Sequence, residues 1–242
     1  MSKHNYDIGR FIAIIPARQG SKGIPDKNIT DVAGKPLIAH SIDVAKKSDG
    51  ISMVLVTTDS ERYAKIAEEY GAIAPFLRPS EISQSESTDI EYLQHALNWL
   101  SEHDGNVPEY VVLLRPTTPI RKKEHIETAM HLIEKSKTAS AVVSVNYLDE
   151  CPYKWMMLDD NGFLKSPFNN MSPDDVNLPR QSFPKVLYPN GYVDVLRSKV
   201  ILEDGYMYGV AALPYFTETT IIDIDETKDL EKARRFILEN GV

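Results

Sequence analysis

The sequence predicts an α/β fold, and three observations support this. Short uninterrupted apolar runs, such as Ile12–Ile15 and Tyr110–Leu114, are typical of strands buried on both faces of a sheet. Segments with helical spacing alternate with these runs, and such alternation favours parallel strands joined by right-handed crossovers. The chain has 242 residues, of which 42% are hydrophobic, so it can bury one sizeable core. We therefore expect a single domain over residues 1–242, a Rossmann-like three-layer α/β/α fold with a mostly parallel sheet.

The first half of the chain alternates strands and helices. Pro36 suits a first helical turn, Thr58–Ser60 reads as a helix cap, and Gly71 is a typical helix end. The predicted elements are the strand Ile12–Ile15, a helix after Pro36, the strand Met53–Thr57, a helix to Tyr70, the strand Ile73–Phe76, the helix Asp89–Leu100, the strand Tyr110–Leu114, the helix Glu124–Lys135 and the strand Ala141–Val145.

The alternation breaks over residues 148–189. This stretch contains six prolines and an Asn-Gly turn signal, without a helical period. A long irregular segment in a compact domain is usually functional or covered by a partner. We expect an inserted subdomain that packs on the sheet edge and takes part in dimerisation. Strands are then predicted at Val193–Leu196, Tyr208–Ala212 and Ile221–Ile224, followed by a last helix over Glu226–Glu239.

A basic, glycine-containing loop follows the first predicted strand. It holds Arg18 ahead of Gly20, and Ser21 and Lys22 between Gly20 and Gly23. A buried strand that leads into such a loop is where an open α/β sheet binds ligands, and backbone N–H groups with basic side chains suit phosphates. The loop fits neither the P-loop pattern nor the dinucleotide fingerprint. From its chemistry alone, an ordinary basic surface loop remains the alternative to a triphosphate site.

Asp223 and Asp225 form the second candidate site. In an extended segment, residues two apart point to the same face, which would place both carboxylates side by side. Mg²⁺ usually takes one or two carboxylates together with substrate phosphates. The alternative is that Asp225 only caps the last helix.

Charge and composition exclude several classes of function. The chain has 27 basic and 35 acidic residues, a net charge of −8, which argues against a general nucleic-acid or membrane-surface binder. Its one cysteine, Cys151, cannot form an internal disulfide. The N-terminal residues lack the apolar core of a signal peptide, and no apolar stretch approaches about 18 residues. These observations predict a cytoplasmic protein.

The loop carries a specific resemblance to a known family. The run A-R-Q-G-S-K-G-I-P-D-K-N resembles the pattern A-R-x-x-S-K-G-[IL]-x-x-K-N of the N-acylneuraminate cytidylyltransferases, also called CMP-sialic acid synthetases. That family has S-I-D-I-D before its last helix, where this chain has I-I-D-I-D. The resemblance implies that Asp223 and Asp225 bind Mg²⁺ or Mn²⁺, and that Arg18, Ser21 and Lys22 hold the phosphates of CTP. It makes Arg18, Lys22, Asp223 and Asp225 the catalytic candidates.

The resemblance implies further contacts with the nucleotide and the sugar. Asn28 matches a residue that meets the ribose, Arg78 in F-L-R-P-S-E matches a nucleotide contact, and Ser87 falls where the base is read. The expected sugar-binding residues are Arg115, where the family has Gln, together with Lys154, Arg180, Gln181 and Asn190. As alternatives, Arg78 could be an ordinary turn residue, Arg115 a surface charge at a strand end, and Lys154 and Arg180 solvated loop charges.

The sequence as a whole favours a nucleotidyltransferase that activates a nonulosonic, sialic-acid-like 2-keto sugar acid. The expected reaction converts CTP and the sugar acid to a CMP-sugar and diphosphate, in a homodimer without nucleic-acid or membrane partners. Differences from the family at Arg115, Tyr192 and Asp194 indicate a sugar other than N-acetylneuraminate, for example a legionaminate- or pseudaminate-like acid. The alternatives are an enzyme for an eight-carbon acid such as 3-deoxy-manno-octulosonate and a noncatalytic nucleotide-binding module.

Overall fold

The computed structural model describes residues 6–217 and 219–241, and its strands and helices alternate through most of the chain. The strands are β1 (Phe11–Pro16), β2 (Asp31–Val32), β3 (Lys35–Pro36), β4 (Ile51–Thr57), β5 (Tyr110–Leu113), β6 (Ala141–Tyr147), β7 (Met157–Leu158), β8 (Leu164–Lys165), β9 (Leu187–Arg197) and β10 (Ala212–Phe216). The α-helices are α1 (Leu37–Lys47), α2 (Glu61–Glu69), α3 (Asp89–Asp104), α4 (Lys123–Lys135) and α5 (Thr227–Asn240). Among the described helices, none is long and apolar enough to span a bilayer.

A six-stranded sheet with the order β10-β6-β9-β5-β1-β4 organises these elements. Strand β1 lies between β4 and β5 and is parallel to both. Strand β9 runs antiparallel to β5, which makes the sheet mixed. The central position of β1 explains its sequence, because a strand flanked on both sides and covered on both faces has no polar surface to present.

The core lies on both faces of the sheet. Alternate side chains of β1, such as Phe11 and Ile15, pack in one cluster with apolar residues of α1, α2 and α4. Ile12 and Ile14 belong to the opposite face and are also fully buried. This confirms the predicted α/β fold with helices around a mostly parallel sheet.

The chain divides into two compact units. The larger contains the described residues within Met1–Ser144 and Gly191–Val242, and the smaller contains Val145–Asn190. The smaller unit includes the short antiparallel pair β7 and β8 and three 3-10 turns, Pro152–Lys154, Pro173–Asn177 and Arg180–Ser182. Its expected role in dimerisation stays a prediction.

The predicted strand at Ile73–Phe76 is wrong. The structure has isolated bridges at Ile73 and Leu77 where a ladder was expected. Pro75 lies between these two bridges and has no N–H to donate, so the pairing cannot continue through it.

Two further strand predictions fail near the C-terminus. The strand expected at Tyr208–Ala212 begins only at Ala212, because Gly209 adopts a left-handed φ of +64°, which an extended strand cannot contain. The residues Ile221–Ile224 form no sheet pairing. Their side chains nevertheless alternate as expected, since Ile222 and Ile224 are buried while Asp223 and Asp225 are exposed.

Candidate functional site

A cavity of about 480 Å³ lies at the carboxyl ends of the parallel strands β1 and β5. Its walls come from the loop after β1, the residues around the start of α3, the loop after β5 and the residue Asp225 near α5. Of the residues predicted for the nucleotide, Arg18, Ser21, Lys22, Asn28, Arg78 and Ser87 all line it. Arg115 and Asp225 line it as well. The fold therefore brings distant sequence segments to the sheet edge where ligands of open α/β folds bind.

The loop after β1 is shaped by its own hydrogen bonds. The Asn28 side chain is buried and donates from Nδ2 to the Arg18 carbonyl oxygen at 3.1 Å. Arg18 in turn donates from Nη1 to the Gly20 carbonyl oxygen at 3.2 Å, and Gly20 has a φ of +78°. This φ suits glycine because a Cβ would be strained there. In this structure Asn28 therefore fixes the loop, and its predicted ribose contact stays a prediction.

Lys27 connects the loop with the carboxylate segment, a role that the sequence pattern did not assign. Its Nζ donates to the Ile224 carbonyl oxygen at 2.7 Å and pairs with Oδ1 of Asp225 at 3.2 Å. The Ile224 N–H donates to the Thr117 carbonyl oxygen at 2.8 Å, which ties this segment to the loop after β5. At Gly23, a Cβ would collide with the Asp225 carbonyl oxygen, so only glycine allows this close approach.

The donor set around Asp223 and Asp225 suits a magnesium ion held jointly with a substrate. Both carboxylates are exposed on the same side of an extended segment, and Asp225 lines the cavity, whereas Asp223 does not. Within the described residues, no group of three or more His, Cys, Asp or Glu side chains could form a complete metal cage. A site with two carboxylates plus phosphate oxygens matches the preference of Mg²⁺. The helix cap is Glu226, so Asp225 is not committed to capping α5.

Arg78 lies mostly inside the protein. Its Nη2 donates to the Thr57 carbonyl oxygen at 2.7 Å, Nε donates to Thr57 Oγ1 at 3.1 Å, and its guanidinium lies 4.6 Å from the centre of the Tyr92 ring. Burial lowers the pKa of Arg78 below the ordinary arginine value. These contacts hold the residue rigidly against the cavity that it lines.

Arg115 is paired with two carboxylates in the structure. Its Nε and Nη2 donate to Oδ2 of Asp89 at 3.1 and 2.5 Å, and its Nη1 donates to Oδ2 of Asp194 at 2.8 Å. Burial by itself lowers the pKa of Arg115, but the charges of Asp194 and Asp89 outweigh burial and raise that pKa above the ordinary value. The predicted contact of Arg115 with the sugar acid stays a prediction, and neither carboxylate partner was assigned from the sequence.

Arg121 holds the loop after β5 in place. Its side chain is buried and donates to the carbonyl oxygens of Tyr192 at 2.5 Å, Arg115 at 2.6 Å and Gly191 at 3.3 Å. It also donates to the hydroxyl of Thr118. Burial lowers the pKa of Arg121. The backbone of Arg115 is therefore fixed by a second arginine, which limits where its guanidinium can point.

The other predicted sugar-binding residues lie in the smaller unit. Arg180 and Gln181 line a separate cavity of about 620 Å³ within that unit. The Asn190 side chain is buried and donates to Oδ1 of Asn146, while Lys154 ends a 3-10 turn. Their assignment to the sugar stays a prediction.

Comparison with known proteins identifies the family. The model of the family described as cytidylyltransferase matches residues 12–172, about two thirds of the chain. The chain belongs to the cytidylyltransferase family. The resemblance seen in the signature loop is thereby confirmed.

Curated relatives refine this placement. The chain is 34% identical to CMP-N,N'-diacetyllegionaminic acid synthase of Legionella pneumophila, over 91% of this chain and 93% of that protein. It is 30% identical to pseudaminic acid cytidylyltransferase of Campylobacter jejuni, over 92% and 94%. It is 33% identical to N-acylneuraminate cytidylyltransferase of Escherichia coli O18:K1:H7 over 93% of this chain, but spans only about half (51%) of that relative.

A solved structure supports the fold. The chain resembles CMP:2-keto-3-deoxy-manno-octonic acid synthetase complexed with CTP, with a TM-score of 0.71 and 16% identity, over 95% of this chain and 99% of that chain. At this identity the likeness concerns the fold alone.

Proposed function

We propose that this cytidylyltransferase activates a nonulosonic sugar acid, converting CTP and the acid to a CMP-sugar and diphosphate. One observation carries the proposal: the cavity at the sheet edge unites the basic signature loop with Asp225. Arg18, Lys22 and Lys27 line the same cavity, so positive charge is concentrated there in a chain of net charge −8. The names of the Legionella and Campylobacter relatives support an acid of the nonulosonate class.

The proposed reaction is an in-line displacement at phosphorus. The anomeric hydroxyl of the sugar acid attacks the α-phosphorus of CTP and loses its proton, a new P–O bond forms, and the bond to the diphosphate breaks. Arg18, Ser21 and Lys22 hold the phosphates and stabilise the charge that develops on the leaving diphosphate. Catalysis then rests mainly on positioning and on charge stabilisation, as is common for transfer at phosphorus.

Mg²⁺ or Mn²⁺ is the proposed cofactor. Asp223 and Asp225 would hold the ion, which supplies charge neutralisation on the triphosphate when bound. Lys27 contributes from the protein by pairing with Asp225 at 3.2 Å and by holding the neighbouring carbonyl of Ile224. This arrangement keeps the Asp225 side chain at the wall of the cavity.

The sugar acid is proposed to contact Lys154, Arg180, Gln181 and Asn190. We also propose a cytoplasmic homodimer. The support for a dimer comes from the smaller unit itself, whose hairpin exposes large apolar side chains: Leu158 is 65% exposed, Phe163 70% and Leu164 57%. Adjacent exposed apolar residues of this size mark interaction surfaces in soluble proteins.

A diphosphate-release assay tests the function and selects the substrate. The purified chain is incubated with Mg²⁺ and CTP against N-acetylneuraminate, legionaminate, pseudaminate and 3-deoxy-manno-octulosonate, and the series is repeated with ATP, GTP and UTP. We expect release with CTP and one nine-carbon acid. Release only with the eight-carbon acid would replace the proposed substrate class. No release with any acid, while CTP still binds, would favour a noncatalytic nucleotide-binding module.

A further inference from the structure

Asp89 occupies a special position at the cavity wall. It is the first residue of α3, it lines the cavity, and its side chain is 35% exposed. Carboxylates often occupy a first helical turn because they complement the helix dipole and cap free N–H groups. Here Glu91 performs the capping, accepting from the N–H of Thr88 at 2.5 Å and from its hydroxyl at 2.9 Å. The Asp89 carboxylate is therefore free of the capping function.

Arg115, the arginine beside Asp89, is paired with carboxylates of the protein itself. Arg115 contacts Asp89 on one side and Asp194 on the other. The Asp194 side chain is only 1% exposed, accepts from the Tyr208 hydroxyl at 3.1 Å, and has no partner for its Oδ1 among the described residues. A buried carboxylate needs a charged partner, so Arg115 compensates Asp194. Arg115 therefore bridges two carboxylates, of which Asp89 is the one that lines the cavity.

Asp89, unlike the buried Asp194, can therefore accept a hydrogen bond from a ligand in the cavity. Both hydrogen bonds from Arg115 use Oδ2 of Asp89, and the buried Tyr92 hydroxyl interacts with the same carboxylate, which has further lone pairs to offer a ligand. An ionised carboxylate oxygen can only accept hydrogen bonds, and such charge-assisted bonds are stronger than neutral ones. A ligand in the cavity can therefore form a hydrogen bond with the Asp89 carboxylate only through an N–H or O–H donor.

We propose that Asp89 determines specificity by accepting a hydrogen bond from an N–H or O–H donor of the bound substrate, and that Arg115 and Asp194 are positioning residues that hold it. The proposal rests on the function proposed above, and it names the chemistry recognised at this wall. The donor is either on the nucleotide, as the cytosine amino group or a ribose hydroxyl, or on the sugar acid, as a hydroxyl or amide. A uracil carbonyl at the amino position would be repelled by the carboxylate.

The test compares Asp89→Asn with Glu86→Gln, which removes one negative charge from an exposed residue of the loop just before α3 that does not line the cavity. Dissociation constants for CTP, UTP and 2′-deoxy-CTP are measured with Mg²⁺, and KM is measured for the acid selected by the panel. We expect D89N to weaken the binding of one substrate about 10- to 100-fold, and E86Q to have little effect. Asp89→Ala, checked by circular dichroism and thermal unfolding, repeats the test independently of the amide group.

The three probes locate the donor. Weaker CTP binding with unchanged UTP binding in D89N identifies the cytosine amino group. Equal weakening for CTP and UTP, but not for 2′-deoxy-CTP, identifies the 2′-hydroxyl of the ribose. A raised KM for the acid alone identifies the sugar. If Asp194 is a positioning residue, Asp194→Asn raises the same Kd or KM that D89N raises, while kcat stays within about twofold of wild type. Adding D194N to D89N then weakens the binding of that substrate little further.

An opposite result separates this proposal from its main competitor. If Arg115 instead binds the substrate carboxylate, D89N removes a competitor for the guanidinium and lowers the KM of the acid. A lowered KM, or unchanged binding of both substrates, overturns the role of Asp89 while leaving the proposed reaction intact. A wild-type chain that binds CTP but releases no diphosphate overturns the reaction, and CTP binding still tests Asp89.

Discussion

Replacing Arg115 with Gln should destabilise the fold because it isolates a buried charge. The change removes the guanidinium that donates to Asp194 at 2.8 Å. The Asp194 side chain is 1% exposed, and one of its oxygens already lacks a partner in the described structure. Breaking a buried pair by removing one member costs about 3–5 kcal/mol, since the remaining charge stays uncompensated. The Tyr208 hydroxyl, at 3.1 Å, keeps the expected loss near the lower end of this range.

A double-mutant cycle isolates this effect. The double variant R115Q/D194N no longer carries the uncompensated Asp194 carboxylate. We therefore expect it to be more stable than R115Q alone by at least about 1.5 kcal/mol. The free energy of unfolding is measured by urea titration, followed by circular dichroism at pH 7. Because about 1 kcal/mol shifts Tm by roughly 2–4 °C at this chain length, R115Q should also melt about 6–12 °C below wild type.

Two outcomes would contradict the coupling of Arg115 and Asp194. An R115Q variant within about 1 kcal/mol of wild type would show that Asp194 does not depend on Arg115. A double variant whose loss equals the sum of the single losses would show that the two side chains are not coupled. Either outcome would also remove the positioning argument for Asp89.

Three further predictions address other parts of the molecule. Gly23→Ala should raise the Kd of CTP and lower the free energy of unfolding by about 1–3 kcal/mol, because the added Cβ collides with the Asp225 carbonyl oxygen. A variant with wild-type Kd and Tm would contradict this prediction. Burial lowers the pKa of His40, so below about pH 6.5 the unfolded chain binds a proton that the folded chain does not, and stability falls as pH falls. His40→Gln, compared with wild type by urea titration from pH 8 to pH 5, should show a shallower loss, whereas parallel curves would disprove the assignment. Phe163→Asp on the exposed hairpin should convert a dimer into monomers in analytical ultracentrifugation; a monomeric wild type or an unchanged dimer counts against the proposed interface.

The sequence predicted well those features that are encoded locally. The uninterrupted apolar run of β1 and the following signature loop placed the cavity at the correct sheet edge. The alternation of Ile222 and Ile224 with Asp223 and Asp225 gave the correct exposed side for the carboxylates, although no strand pairing forms there. Local periodicity determines which way side chains point, whereas sheet pairing requires a neighbouring strand with free hydrogen-bonding groups.

Features that depend on distant contacts could not be predicted. Arg115 was expected at the ligand site, but its partners Asp89 and Asp194 are 26 and 79 residues away in the sequence. No local pattern indicates that these charges meet inside the protein. Lys27 was visible in the signature loop, but its contact with Asp225 spans 198 residues. Such pairs appear only when the sheet order brings the strand ends together.

Product analysis shows whether the chain transfers a cytidylyl group to a sugar acid. The chain, Mg²⁺, CTP and the acid selected by the panel are followed by ³¹P nuclear magnetic resonance, and the products are identified by mass spectrometry. We expect the α-phosphorus signal of CTP to be replaced by that of a phosphodiester with the mass of a CMP-sugar, in equal amount to diphosphate, and we expect Asp225→Asn to abolish this conversion. Formation of CDP and phosphate, of CMP without a sugar adduct, or of the same products by D225N at the wild-type rate would contradict it.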